Sequence, residues 1–439
     1  MQKKIAFGIL LAVIGTMAVA APAIEHWIAP SGAHVYFVEN HVLPMLDVQI
    51  DFPAGSASDP DDKAGLASLT HELLDMGAEG LDENEIASRL ADLGAQISGG
   101  VDADRASISL RSLSAPETRE AALKILGTLL STPKFPKDVF ERERARNVAA
   151  LKEALTRPDV IASRAFRAAL YPKHVYGRSA TPESIMAFTR DDLEDFHKAH
   201  YGAGGAVLSI VGDVTRDEAE ALARELTANL PTANGGTPAN RPIEAPGLPA
   251  GGEWRLPHPA AQAHVLIGLP AIRRGDPDFF ALQVGNYTLG GGGFVSRLMR
   301  EVREKRGFAY SVYSAFIPLA QPGPFQIGLQ TRKEQADEAL GVAREVLARF
   351  LAEGPDDAEL LAARQYLRGS FPLRIDSNRS LLENVAVIGF YGLPLDYLDT
   401  YTDRIGEVTV DDVRAAFARH VKPEHLVTVV VGESGAGGQ

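Results

Sequence analysis

His71 and Glu72 lie side by side in the stretch GLASLTHELLDMGA, Gly65 to Ala78. The stretch also carries Leu66, Leu69, Leu73 and Leu74 at the i, i+3, i+7, i+8 spacing of a helix with one apolar face. A histidine and a carboxylate on a helix are donor types of a zinc centre. Their spacing argues against one here. Two side chains of one helix share an ion when they stand three or four residues apart, and adjacent residues point roughly 100° apart. The turn-related neighbours of His71 are Ser68, a poor zinc ligand, and Asp75, which makes a weak two-ligand pair at most. By residue type alone, Ser68, His71 and Glu72 read as a solvated polar face on a helix that runs to Met76 and Gly77.

A second stretch offers different chemistry. LGGGGFVSRLMREVREKRGFAYSVYSAF, Leu289 to Phe316, opens with Gly290, Gly291, Gly292 and Gly293. Four glycines before a helix invite a phosphate loop. No Gly-Lys-Ser/Thr follows and no dinucleotide spacing fits, so the plain reading is a flexible turn opening a helix. That helix sets Phe294, Leu298 and Val302 on one line with Val295 and Met299 beside it. Arg303 stands where another apolar residue would continue the second line, and Gly307 is the expected stop. The strand after it is expected to place Phe308, Tyr310, Val312 and Phe316 on one face. A guanidinium and a phenol are strong donors, suited to polarising a carbonyl. Without such a task, Arg303 complements a helix C-terminus and Tyr310 packs in a sheet.

Two further patterns carry less. His197 and His200 in EDFHKAH stand at i, i+3 with Glu194 nearby, a spacing that can bind metal but reads as a solvated charged face. GESGAGG near the C-terminus is similar to a serine nucleophile elbow whose last Gly is replaced by Ala436, within a Gly-rich tail.

The elements that must hold these residues come in two copies. TRDDLEDFHKAHYGAGGAVLSIVGD, from Thr189, aligns without a gap on TVDDVRAAFARHVKPEHLVTVVVGE, from Thr409, at one offset of 220 residues. Each begins with a threonine N-cap followed by acids in the first turn, where carboxylates suit the helix dipole. Each continues into a β-rich run, Ala206–Val211 or Leu426–Val431, and ends at Gly212 or Gly432 plus an acid. Such internal repetition points to duplication. Within the first copy, Val35–Val38, Leu46–Phe52 and Ala106–Arg111 are expected strands. A helix should start at Asp82, with Glu85 completing a capping box. Amphipathic helices are expected over Glu117–Leu130 and Asp138–Leu155. The segment 232–252, TANGGTPANRPIEAPGLPAGG, is a linker by composition. The expected architecture is α+β, two tandem duplicated domains (21–231 and 253–434), each a mainly antiparallel sheet flanked by helices.

The ends and the bulk composition bound the setting. Lys3 and Lys4 precede an apolar run, Ile5 to Ala18, and AVA at Ala18–Ala20 supplies small residues for cleavage. This is the pattern of a secretory leader cleaved after Ala20, and the run is short of the ~20 residues that span a bilayer. No other run is apolar enough to span. The chain has no cysteine, which excludes disulfides, thiolate metal sites, a Cys nucleophile and a lipidated Cys. A bacterial periplasm, in a Gram-negative organism, fits. Loss of the leader's lysines moves the net charge from −13 to −15. That acidity argues against nucleic acid and against an anionic membrane surface.

The motifs together resemble the insulinase/pitrilysin family of zinc peptidases, which includes the mitochondrial processing peptidase. That family writes the first helix as G-L-A-H-x-x-E-H-M-L-F-x-G-T, with both histidines on zinc and the glutamate as general base. Gly65, Leu66, Ala67, Leu74 and Gly77 agree. The first His falls on Ser68, the Glu on His71 and the second His on Glu72, so every catalytic position is altered. The family's further Glu ligand lies in the helix resembling FERERARNVAALKEAL, near Ala149 or Ala150, with Glu153 close by. The second half keeps its motif: Arg303 and Tyr310 match the Arg and Tyr of R-E-K-x-G-x-x-Y after a glycine-rich loop. The resemblance implies one half of a clamshell and no zinc in this chain. It further implies a related H-x-x-E-H partner chain that binds the zinc, an unfolded peptide as substrate, and Arg303 and Tyr310 gripping that peptide. The alternatives are a non-catalytic peptide-binding or scaffold protein, and a self-sufficient peptidase using an irregular site around His71, Glu72, Asp75 and Glu153.

Overall fold

The computed structural model describes residues 23–231 and 243–433. The leader, residues 232–242 of the linker and the tail 435–439 lie outside the described residues.

The first repeat begins with strands β1 (Glu25–Ile28), β2 (His34–Glu39) and β3 (Met45–Phe52). Helix α1 (Leu66–Glu72) follows, then a two-residue hairpin of β4 (Gly77–Ala78) and β5 (Leu81–Asp82). Helix α2 (Glu83–Asp92) starts at the Asp82–Glu85 capping box expected of it. Strands β6 (Gln96–Val101) and β7 (Ala106–Leu113) lead to α3 (Pro116–Ser131), α4 (Lys137–Ala154) and α5 (Pro158–Leu170). The repeat ends with α6 (Pro182–Met186), α7 (Arg190–His200), β8 (Val207–Gly212) and α8 (Arg216–Thr227).

The second repeat starts at β9 (Gly252–Pro257), so the last residue of the expected linker is already strand. Then come β10 (Gln262–Ile272), α9 (Phe279–Asn286), β11 (Ala309–Phe316) and β12 (Gly323–Arg332). Helices α10 (Ala336–Glu353), α11 (Asp357–Ser370), α12 (Asn378–Tyr391), α13 (Tyr397–Glu407) and α14 (Val410–His420) precede β13 (Val427–Glu433).

The two sheets share one topology over five strands, and β1 is an extra edge strand on the first. The first runs β1-β2-β8-β3-β7-β6 and the second, read in the matching direction, β9-β13-β10-β12-β11. In each, one pair is parallel (β2 with β8, β9 with β13) and the other neighbours are antiparallel. The 220-residue offset carries α7 onto α14 and β8 onto β13, and both helices open with a threonine-aspartate capping box.

The repeats are joined by exchanged helices. Helix α5 packs on β10 and β13 of the second sheet, and α12 packs on β2, β3 and β8 of the first. Phe166 and Leu170 of α5 share an apolar cluster with Val427, Val429 and Val431. Tyr36, Val38, Val207 and Val211 of the first sheet belong to one core with Leu382, Val385 and Ile388 of α12. This explains why β8 is buried at every residue: its own repeat covers one face and the borrowed helix the other.

A polar node sits at the same junction. Asp104, in the β6–β7 turn, is 6% exposed. Its Oδ1 accepts from the Tyr176 hydroxyl of the first repeat, and its Oδ2 accepts from the Tyr391 hydroxyl (2.9 Å) and the Ala320 N–H (2.8 Å) of the second. The described part of the linker is tied down by His174 Nε2 on Glu244 O (2.8 Å) and His425 Nδ1 on Pro249 O (2.6 Å).

Candidate functional site

The helix that resembles the zinc helix is short. Asp59 fixes its start, accepting the N–H groups of Gly65 and Ala67 at 2.7 Å each. It ends at Glu72, where Leu73 and Leu74 turn into the core and the half-buried Met76 packs on it while the backbone turns toward β4. Asp75 therefore lies beyond the helix, and the expected run to Met76 is corrected.

The expectation of a solvated face is corrected for His71 and Glu72, whose donors are engaged within the protein. His71 is half-buried, and its Nε2–H donates to Ser107 O of β7 at 2.9 Å. Glu72 accepts from Asn147 Nδ2 of α4 at 2.9 Å, and Asn147 also bonds Glu143 O one turn back. Ser68 is exposed. Ala149 and Ala150 offer no donor, and Glu153 is exposed in the last turn of α4. One imidazole whose Nε2–H is used, one carboxylate held by an amide, and a hydroxyl do not make a zinc donor set.

Among the described residues, one group of three potential metal donors stands elsewhere: Asp276, Asp278 and His420. Those donors are also engaged. Arg419 makes two bonds to Asp278 (2.7 and 2.6 Å), while His420 bridges Ala271 O (2.8 Å) and Asp278 (2.9 Å). Arg419, first, and His420 hold the Asp278 carboxyl below its usual range. The group fastens the end of α14 to the start of α9.

Of the H-x-x-H pair, His197 is a core residue rather than a solvated one and His200 is half-buried. His197 is 4% exposed, its Nε2 bonds Leu130 O at 2.8 Å, and its ring stacks on Tyr201. Burial pushes its pKa down to about 4. Burial lowers that of His200 as well.

The second-half motif is built differently from a simple helix and strand. Gly290, Gly291 and Gly292 are closely packed, each with a neighbouring atom within 2.6 Å of where a Cβ would stand. Tyr287–Gly291 is a π-helical turn, and a Cβ on buried Gly290 would stand 2.5 Å from the backbone N of Ser314. Ser314 and Asn286 clasp each other across this contact, at 2.6 Å through the side chains and 3.1 Å from Asn286 Nδ2 to Ser314 O. Gly293 adopts φ +60, which favours glycine, and starts a 3₁₀ turn through Val295. That turn breaks the expected helix. Phe294 and Val295 are 64% and 66% exposed instead of lining the apolar face, while Leu298 and Val302 are buried.

Arg303 lies in a second π-helical segment, Met299–Glu304, marked by the bond from Lys305 N to Arg300 O. Single π turns recur at functional sites. The segment is anchored by Arg297, which makes two bonds to Glu359 (2.9 and 2.6 Å). Tyr310 does not share a face with Val312. The register slips between Ala309 and Ser311, so Tyr310 is the extra residue of a β-bulge. The bulge turns it outward to 82% exposure while Val312 is 2% exposed.

This brings Arg303 and Tyr310 together. The Arg303 guanidinium carbon lies 4.7 Å from the Tyr310 ring centroid and 4.8 Å from that of Phe294. Glu301, the nearby acid, is held by Lys305 and Arg306, and its carboxyl is drawn down to about 2. Among the described residues, no hydrogen bond or ion pair engages the Arg303 guanidinium or the Tyr310 hydroxyl. Tyr310 stands on β11, the edge strand of the second sheet, and the half-buried Arg303 reaches it from the π-helical segment before that strand.

A doubled sheet-and-helix repeat, a zinc-type helix without its donor set and a stacked arginine-tyrosine pair together define a peptidase-type fold. Family models agree with this. Residues 35–181 match the insulinase (peptidase family M16) model and 187–367 the peptidase M16 inactive domain model. The chain belongs to the peptidase M16 family. A crystal structure of a peptidase M16 inactive domain from Pseudomonas fluorescens is 38% identical with a TM-score of 0.90, over 94% of this chain and 99% of that one. The "Non-peptidase homolog YmxG" of Helicobacter pylori is 27% identical over 440 residues, 98% of each chain. The "Uncharacterized zinc protease ML0855" of Mycobacterium leprae is 33% identical over 257 residues, 57% of this chain and 56% of that one.

Proposed function

We propose that this chain is the zinc-free subunit of a two-chain periplasmic metallopeptidase. It binds an unfolded peptide and presents Arg303 and Tyr310 to it, while a related H-x-x-E-H chain carries the zinc. One observation carries the reading. His71 and Glu72 of the zinc-type helix are engaged internally, whereas the half-buried Arg303 and the exposed Tyr310 of the second half stack on each other with their polar groups unclaimed among the described residues. In a closed chamber such donors can hold a peptide carbonyl and stabilise the oxyanion that forms on it. The periplasmic setting rests on the leader read in residues 1–20. In the described residues no helix is long and apolar enough to cross a membrane.

The test is reconstitution with the zinc-bearing chain and an unfolded peptide substrate. Arg303→Ala and Tyr310→Phe are each expected to lower kcat by about a hundredfold or more, the size of a lost oxyanion donor. If kcat is unchanged in both, the assigned role is wrong. A chain that binds peptide yet never stimulates a zinc partner would be a scaffold.

A further inference from the structure

We infer that Phe294 is a positioning residue for Arg303: it holds the guanidinium against Tyr310 with its N–H edge turned toward a peptide carbonyl. The inference rests on the proposed peptide-gripping role of Arg303.

Phe294 has no part in the core. It is 64% exposed, next to Val295 at 66%, in a turn that the surrounding structure holds firmly. Ser296, fully buried, sends both its N–H (3.0 Å) and its Oγ (2.7 Å) to Gly293 O, closing the loop beneath Phe294. Among the described residues the charged group over the ring is Arg303, at 4.8 Å. Arg303 meets Tyr310 at nearly the same distance, and among the described residues no carboxylate fixes it. An arginine without an ion pair samples many rotamers, and ordering it on a ligand costs affinity. Two aromatic rings remove much of that freedom and leave the five in-plane donors uncovered. The grip is thus a triad, with Phe294 contributed by the turn behind the glycines.

The experiment uses the full chain labelled with ¹⁵N-arginine. The Nε–Hε resonance of Arg303, assigned by its loss in Arg303→Lys, is expected upfield of the other arginines through the two ring currents. Phe294→Leu, at an exposed site, should move it back toward the others, and Phe294→Tyr should restore it. Binding of fluorescein-labelled β-casein, an unfolded protein, should weaken about two- to five-fold in Phe294→Leu, the value of one partly exposed cation–π contact. The loss should vanish in an Arg303→Ala background. An Arg303 resonance unmoved by Phe294→Leu overturns the inference. So does an equal loss of binding with and without Arg303, which would make Phe294 a direct peptide contact. Neither result touches the proposed function, which fails instead if Arg303→Ala leaves peptide cleavage by the reconstituted complex intact.

Discussion

Replacing Asp104 with alanine removes the acceptor at the centre of the contact between the repeats. Three donors converge on its carboxylate, and the two on Oδ2 come from the other repeat. Leaving buried donors without their acceptor costs about 1–3 kcal/mol for each group, so three together cost several kcal/mol. Asp104→Asn should be far milder. Its carbonyl can take the place of Oδ2 and keep Tyr391 and Ala320. Its amide would face Tyr176, whose oxygen already accepts from Gln321 N at 3.1 Å. One poorly paired hydroxyl is worth about 1–2 kcal/mol. The chain supplies its own reporters, since Trp27 lies on β1 and Trp254 on β9. Urea unfolding followed in two single-tryptophan versions should give coincident midpoints in the parent, as expected for halves that share helices. Asp104→Ala should lower both midpoints by the larger amount and Asp104→Asn by the smaller. An alanine variant within about 1 kcal/mol of the parent, or no gap between the two variants, would falsify the account of the junction.

Two other outcomes follow from the same geometry. His197 stays neutral in the fold down to about pH 4, whereas in the unfolded chain it takes a proton below about 6.5, so its contribution is complete above 6.5 and lost as pH falls toward 4. At pH 5 the loss should be about 2 kcal/mol, and His197→Gln should flatten the stability profile between pH 6.5 and 4, whatever its cost at neutral pH. The purified chain, equilibrated with zinc and dialysed, should retain less than one ion per molecule by elemental analysis; a stoichiometric ion would revive the self-sufficient site around His71, Glu72, Asp75 and Glu153.

The repeat and its caps could be read before the structure because both are written in local spacing. Thr189 and Thr409 with their acids, and the β-rich runs after them, specify the same helix and strand twice. The alteration of Ser68, His71 and Glu72 was equally plain. What escaped depends on pairing rather than spacing. The bulge at Tyr310 is set by how β11 docks on β12, and alternation of residues cannot reveal a slipped register. The 3₁₀ turn at Gly293 interrupts the helix without interrupting its apolar spacing, so Phe294 and Val295 read as core. His197 looked solvated because its helix is rich in charge, while the side chain alone turns inward. Asn147, the residue that occupies Glu72, had no signal beyond its place on α4. Nor does an amphipathic stripe on α5 say whose sheet it covers.

That trade of α5 for α12 has a bearing on how such a chain can arise. One copy by itself would have a sheet with a bare side and a helix with nothing to lie on. Two identical copies about a two-fold axis would cure each other, as in a domain-swapped dimer. Fusing them end to end turns that pair into one molecule, and from then on the copies are free to differ. An edge strand in one can acquire the bulged tyrosine while its counterpart in the other does not. Severing the bridge between them should leave two fragments that still hold together and migrate as one.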